Sequence, residues 1–201
     1  MTANLANTIL KRVRAKGRGL AYTPKDFLDL GGRPAVDQAL SRLARKGLIR
    51  RLMRGVYDYP KISPKLGPLS PSPQVLAKTL ADRTNSKLQL TGAHAANALG
   101  LTTQVPAHVV YLTSGKSRRF RIGNQTIELR HASPRSMVGA GTPIGTIIQG
   151  LKYLGTDNID ARTIDKLKRA LSANDKRALQ KDIDAVPDWL RPVVAEIAAL
   201  S

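Results

Sequence analysis

Residues 22–59 read YTPKDFLDLGGRPAVDQALSRLARKGLIRRLMRGVYDY, and this stretch decides the fold. Thr23-Pro24 has the form of a helix start, with Thr at the N-cap, Pro at the first helical position and Asp26 in the first turn. Asp29-Leu30-Gly31-Gly32 breaks that short helix, and a second is expected from about Pro34. Along it Val36, Leu40, Leu43 and Ala44 recur at the spacing that buries one helical face. Lys46-Gly47 ends it, with Gly as a left-handed cap. Residues 48–59 then read as two short strands joined near Arg54-Gly55. The order is helix, tight turn, helix, basic hairpin. The expected class is α+β, with an N-terminal winged helix-turn-helix over residues 1–60.

That order carries a chemical implication. A recognition helix presents side chains to base edges in the major groove, and a flanking basic hairpin neutralises neighbouring phosphates. Arg33, Ala35, Val36, Asp37, Gln38, Ser41, Arg42 and Arg45 are therefore the expected groove-side residues. Arg50, Arg51 and Arg54 are expected at phosphates or the minor groove. Winged helices also serve as protein-protein modules, so this alternative stays open at the level of sequence.

Composition bounds the partner. The chain has 201 residues, 42% hydrophobic, with a net charge of +19, which points to a polyanion, nucleic acid before an anionic membrane surface. Residues 1–62 hold 14 Lys or Arg against 4 Asp or Glu, so the first third has the highest density of positive charge. With no cysteine, neither disulfides nor thiolate metal ligands are available, as suits a reducing compartment. Residues 1–17 lack the apolar core of a signal peptide. Residues 88–115 contain no charged Lys, Arg, Asp or Glu, yet their Gln, Asn, Thr, Pro and two His make a poor membrane span. A cytoplasmic chain with no membrane partner is expected.

Before the deciding stretch, residues 3–16 read as a helix with Leu5, Ile9, Leu10 and Val13 on one side and Lys11, Arg12, Arg14 and Lys16 on the other. After it, PKISPKLGPLSPSP at residues 60–73 holds five prolines; proline removes donors and disfavours helix before it, so residues 61–73 are expected to be a semi-rigid linker. Residues 74–201 are then the second domain, mixed α+β and ending in helices. It opens with a helix from Pro73 to Asp82 capped by Ser72. A strand is expected at 88–90, a small-residue helix at Thr91–Leu99, a strand at His108–Thr113, and a hairpin of 118–121 with 125–131 turning at Gly123-Asn124. Thr142-Pro143 starts another helix, and residues 160–171, 174–183 and 187–200 read as three more, with Ser172 and Asp175 as a capping box.

Catalytic constellations mostly fail on spacing. Ser114-Gly115-Lys116-Ser117 has Gly-Lys-Ser after a strand, but a phosphate-binding loop needs glycine where Val110 stands. Lys116, Arg118, Arg119 and Arg121 are better read as a basic turn, a second candidate contact for nucleic acid. His94, His108 and His131 are scattered and lack metal-ligand spacing. Glu128-Leu129-Arg130 is the nearest approach to a metal-dependent nuclease signature, without an upstream acid. Neither catalytic residues, metal nor cofactor are expected. A nucleic-acid-processing enzyme, and an RNA-binding or protein-interaction module, are the rival readings.

One resemblance spans nearly the whole chain. GRPAVDQALSRLARKGLIRRLMRGVYDYP, then LTGAHAANALGLTTQVPAHVVYLTSG with Gly92, Ala95, Ala98, Leu99, Gly100, Leu101, Thr102 and Pro106, then RRFRIGNQTIELRHA, together resemble the AbiEi-type antitoxin family of type IV toxin-antitoxin systems. The resemblance implies a non-enzymatic repressor whose winged helix binds promoter inverted repeats, as a dimer on DNA. It also implies that residues 74–201 oppose a nucleotidyltransferase toxin without a stable complex. It puts the DNA contacts on Arg33 to Arg45 and on Arg50, Arg51 and Arg54.

Overall fold

The computed structural model describes residues 2–104 and 108–199; Pro106 and Leu200 lie outside them. The chain is α+β and divides into two compact units, residues 1–85 with 120–127, and residues 86–119 with 128–201.

In the first unit, helix α1 (Thr2–Lys16) is followed by strand β1 (Leu20–Tyr22), a 3-10 turn (Pro24–Phe27), helix α2 (Arg33–Arg45) and strands β2 (Arg50–Met53) and β3 (Val56–Tyr59). The turn starts as expected at Thr23-Pro24, where the Thr23 amide and hydroxyl both donate to the Asp26 carboxylate, at 2.6 and 3.0 Å. It closes as one 3-10 turn instead of an α-helix, because Gly31 and Gly32 leave no residues to propagate it. Strand β1 was not legible in three residues of sequence. It pairs antiparallel with β3, giving a sheet ordered β1-β3-β2. Gly55, at φ +72°, makes the β2–β3 turn in a region that disfavours side chains. Beneath the sheet Ile9, Val13, Phe27, Val36, Ala39 and Leu40 are fully buried in one core. The helical spacings of α1 and α2 converge there.

The proline-rich stretch is not where the chain divides. Ile62–Ser63 and Gly67–Pro68 pair as a small hairpin, β4 and β5, and Arg50 donates to the Pro68 and Leu69 carbonyls, at 3.4 and 3.0 Å. Helix α3 (Pro73–Arg83), capped by Ser72 Oγ, then belongs to the first unit, not to the second as residues 74–201 would require. Its buried face of Leu76, Ala77, Leu80 and Ala81 is the reason. Lys25 Nζ also donates to the Asp82 carbonyl, at 2.7 Å, and to Asn85. Apolar burial outweighs the composition break as a determinant of the boundary.

Strand β6 (Leu88–Leu90), helix α4 (Gly92–Ala98) and strand β7 (Val109–Thr113) lie in the second unit and precede strands β8 (Arg118–Ile122) and β9 (Gln125–His131), of which residues 120–127 are grouped with the first unit. The sheet order is β6-β7-β9-β8. Helices α5 (Pro143–Leu154), α6 (Ala161–Ala170), α7 (Ala173–Lys181) and α8 (Arg191–Ala198) follow. Ser172 Oγ accepts from the Asp175 amide, at 3.1 Å, and the Asp175 carboxylate accepts from the Ser172 amide, at 3.2 Å, completing the expected box. The last helix begins at Arg191 because residues 188–190 form a 3-10 turn. Ile147, Ile148, Leu151, Leu167, Leu179, Leu190 and Val194 form this unit's core.

Candidate nucleic-acid interface

Helix α2 has one buried side, Val36, Ala39, Leu40 and Leu43. The opposite side carries the exposed Arg33, Asp37, Gln38 and Arg45, with Ser41 and Arg42 half-buried beside them. This is the division that an amphipathic helix imposes. One expected groove residue needs correction. Val36 is 0% exposed and belongs to the core, as its place in the apolar spacing requires; Ala35 is half-buried. Arg33 is committed in part to Asp37, with Nε donating to Oδ2 at 2.9 Å across one helical turn. Surface pairs of this kind are worth a few tenths of a kcal/mol, about 0.3–0.5, and exchange readily for another anion.

The hairpin separates its three arginines. Arg50 is also corrected: its Nε and Nη2 grip the Asp58 carboxylate at 3.0 and 2.6 Å, and Asp58 is completely buried. This hydrogen bonding raises the Arg50 pKa above its ordinary value. Arg50 therefore serves the fold, since a buried carboxylate demands a paired cation. Arg51 and Arg54 are exposed.

Between α2 and the hairpin lies a groove of about 540 Å³, lined by Arg33, Asp37, Ser41, Arg51, Arg54, Tyr57 and Arg83. Arg83, in the last turn of α3, was not among the sequence candidates. Its Nη1 donates to the Arg54 carbonyl at 3.3 Å, and its guanidinium carbon lies 3.9 Å from where a Cβ on Gly55 would be. The groove thus gathers four arginines and one carboxylate. No local signal identifies Arg83, because its place depends on α3 packing with the first unit. The composition break at residues 60–73 pointed the other way.

Other basic residues are engaged elsewhere. Arg12 on α1 holds Asp29 with two bonds of 2.7 Å, which keeps the Asp29 carboxyl below its usual range. Arg18 stacks over the Tyr59 ring at 4.3 Å and donates to the Pro60 carbonyl at 2.9 Å. In the second candidate patch, Lys116, Arg118, Arg119 and Arg121 are all exposed. Arg119 donates to Glu128 at 3.0 Å, and Arg130 grips the other oxygen at 2.9 Å. Those bonds, Arg130 first, hold Glu128 below the usual carboxylate range. A carboxylate so held is a poor general base.

His94 Nε2 lies 2.8 Å from the His108 carbonyl, and His131 Nδ1 lies 2.9 Å from the Gly115 carbonyl. Among the described residues no group of three or more His, Asp or Glu is placed to hold a metal ion. Nor, among them, is any helix long and apolar enough to cross a membrane.

No curated protein matches this chain. A family model described as "Family of unknown function (DUF6088)" matches residues 8–179, and the chain belongs to that family.

Proposed function

We propose that this chain is a sequence-specific DNA-binding repressor, without enzymatic activity, whose first unit is a winged helix-turn-helix. The observation that carries the reading is the groove between α2 and the β2–β3 hairpin, where Arg33, Arg51, Arg54 and Arg83 meet a single carboxylate. Arginine is the side chain best suited to phosphate, since its planar fork gives two directed donors and it does not deprotonate. Beside the groove, α2 carries the exposed Gln38 and Arg45 and the half-buried Ser41 and Arg42, a set able to hydrogen-bond purine edges. The element order α1, 3-10 turn, α2, hairpin fits the motif.

One recognition helix reads only a few base pairs, so two copies on an inverted repeat supply the length of site that a promoter requires. The further role, an antitoxin that regulates its own operon in the cytoplasm and opposes a nucleotidyltransferase toxin without a stable complex, is supported by the resemblance of the three sequence blocks alone.

The test is binding to the chain's own upstream promoter fragment and to a scrambled duplex of equal length, across a salt series. Retention of the promoter fragment alone at physiological salt is the expected result. Equal and steeply salt-dependent binding to both would overturn the specific reading and leave only the attraction of a +19 chain for a polyanion.

A further inference from the structure

The second unit holds a hollow that the DNA reading does not use. It measures about 310 Å³ and is walled by Thr91 and Gly92 from the start of α4, Val110 from β7, Arg130 from β9, and Lys152 and Tyr153 from α5. A Cβ on Gly92 would stand 2.9 Å from Tyr153 Cβ and 3.2 Å from the Gln149 carbonyl. Helix α4 therefore packs hard against α5 at this point, and the wall is set by backbone contact.

Four elements bring two cations and no carboxylate to the lining. Lys152 is half-buried. Burial lowers its pKa, with no carboxylate acting against that shift. Its position in the last turn of α5 gives it the favourable field of the helix carbonyl end, but not a counter-ion. Arg130 is bound to Glu128, which also serves Arg119, so two positive charges share one negative and the rim stays net positive. Tyr153 adds an exposed ring beside the cations, 45% accessible. A partly desolvated ammonium beside a guanidinium, in a recess of this size, is matched by a compact oxyanion.

We infer that this hollow binds a phosphate group, with Lys152 as its principal ligand and Arg130 as the second. The phosphate comes either from a small phosphate ester or from a nucleic-acid backbone, and Lys152 provides the means of telling them apart.

The experiment is thermal unfolding of the full chain titrated with sodium phosphate against sodium chloride at matched ionic strength. For each variant the reading is the phosphate-dependent rise in Tm over that variant's own baseline, so a change in basal stability does not obscure it. The unaltered chain is expected to show a saturating rise. Lys152→Gln should weaken apparent phosphate affinity about tenfold, the loss of one charge-assisted bond. Arg130→Gln should weaken it less. Lys61→Gln, which alters an exposed lysine of the first unit, should retain the full rise. The inference is overturned if the unaltered chain gains nothing from phosphate, if Lys152→Gln keeps the full rise, or if Lys61→Gln loses as much. The source is then read from duplex binding. An unchanged salt slope in Lys152→Gln assigns a free phosphate ester, and a slope lower by about one assigns a backbone phosphate.

Discussion

At the scale of the residue, two arginines four positions apart have opposite roles. Arg50 closes on a carboxylate that is 0% exposed, whereas Arg54 projects from the hairpin turn into the groove. Arg50→Ala leaves Asp58 buried without its cation and should destabilise the chain by about 2–3 kcal/mol, the cost of an unpaired buried charge reduced for the partial exposure of the arginine. Arg54→Ala should leave Tm unchanged and lower the slope of log K against log salt by about one, for promoter and scrambled duplex alike. Denaturant unfolding and a salt series on the same two proteins check both. A lowered slope with Arg50→Lys at unchanged Tm would reverse the assignment. Gln38→Ala, on the exposed side of α2, should instead cost discrimination, on the order of 1–3 kcal/mol at one base pair. Specificity left intact would show that the reading face of α2 is turned elsewhere.

At the scale of the element, α2 was legible because its apolar spacing is long enough to fix both a period and a face. The Thr142-Pro143 and Ser172/Asp175 starts were legible because capping is local chemistry. The same spacing excludes Val36 from the groove face, since a residue counted among the apolar positions at i, i+4 and i+7 is turned inward. Strand β1 and the β4–β5 hairpin were not legible, because two or three residues carry no period and their pairing depends on distant partners. Helix α3 itself was legible, but not the unit it joins. With Leu76 fully buried there, Leu76→Ala should cost about 3 kcal/mol, and the loss should reach the groove through the Arg83 bond to the Arg54 carbonyl. Arg83→Gln separates those effects. Its amide can still donate to that carbonyl, so Tm should hold while the duplex salt slope falls by about one. A slope equal to that of the unaltered chain would remove Arg83 from the interface.

At the scale of the whole molecule, charge sets the response to pH. Every groove cation is an arginine and the groove contains no histidine, so duplex affinity at fixed salt should be flat between pH 6 and 8. Stability should behave differently at lower pH. Asp29, held chiefly by Arg12, and Glu128, held chiefly by Arg130, both titrate below their ordinary values of 3.8 and 4.5. Asp160 is lowered too, chiefly by its bond with Thr163. A group depressed in the folded state binds protons more readily when unfolded. Its contribution is therefore complete above the unfolded value and is lost as pH falls toward the folded one. The window opens near pH 4.5 and extends below 3.8. Over the same window the 14 carboxylates stop offsetting 33 Lys and Arg, and self-repulsion of the compact state adds to the loss. Thermal unfolding should accordingly be level from pH 7 to 5 and fall steeply below about 4.5. Because repulsion is screened while the lost hydrogen bonds are not, added salt at pH 3.5 should recover only part of the fall. Asp29→Asn should start from a lower Tm at pH 7 and show a shallower decline. A Tm that stays level down to pH 3 would mean that these pairs persist in the unfolded chain and contribute nothing to the folded one.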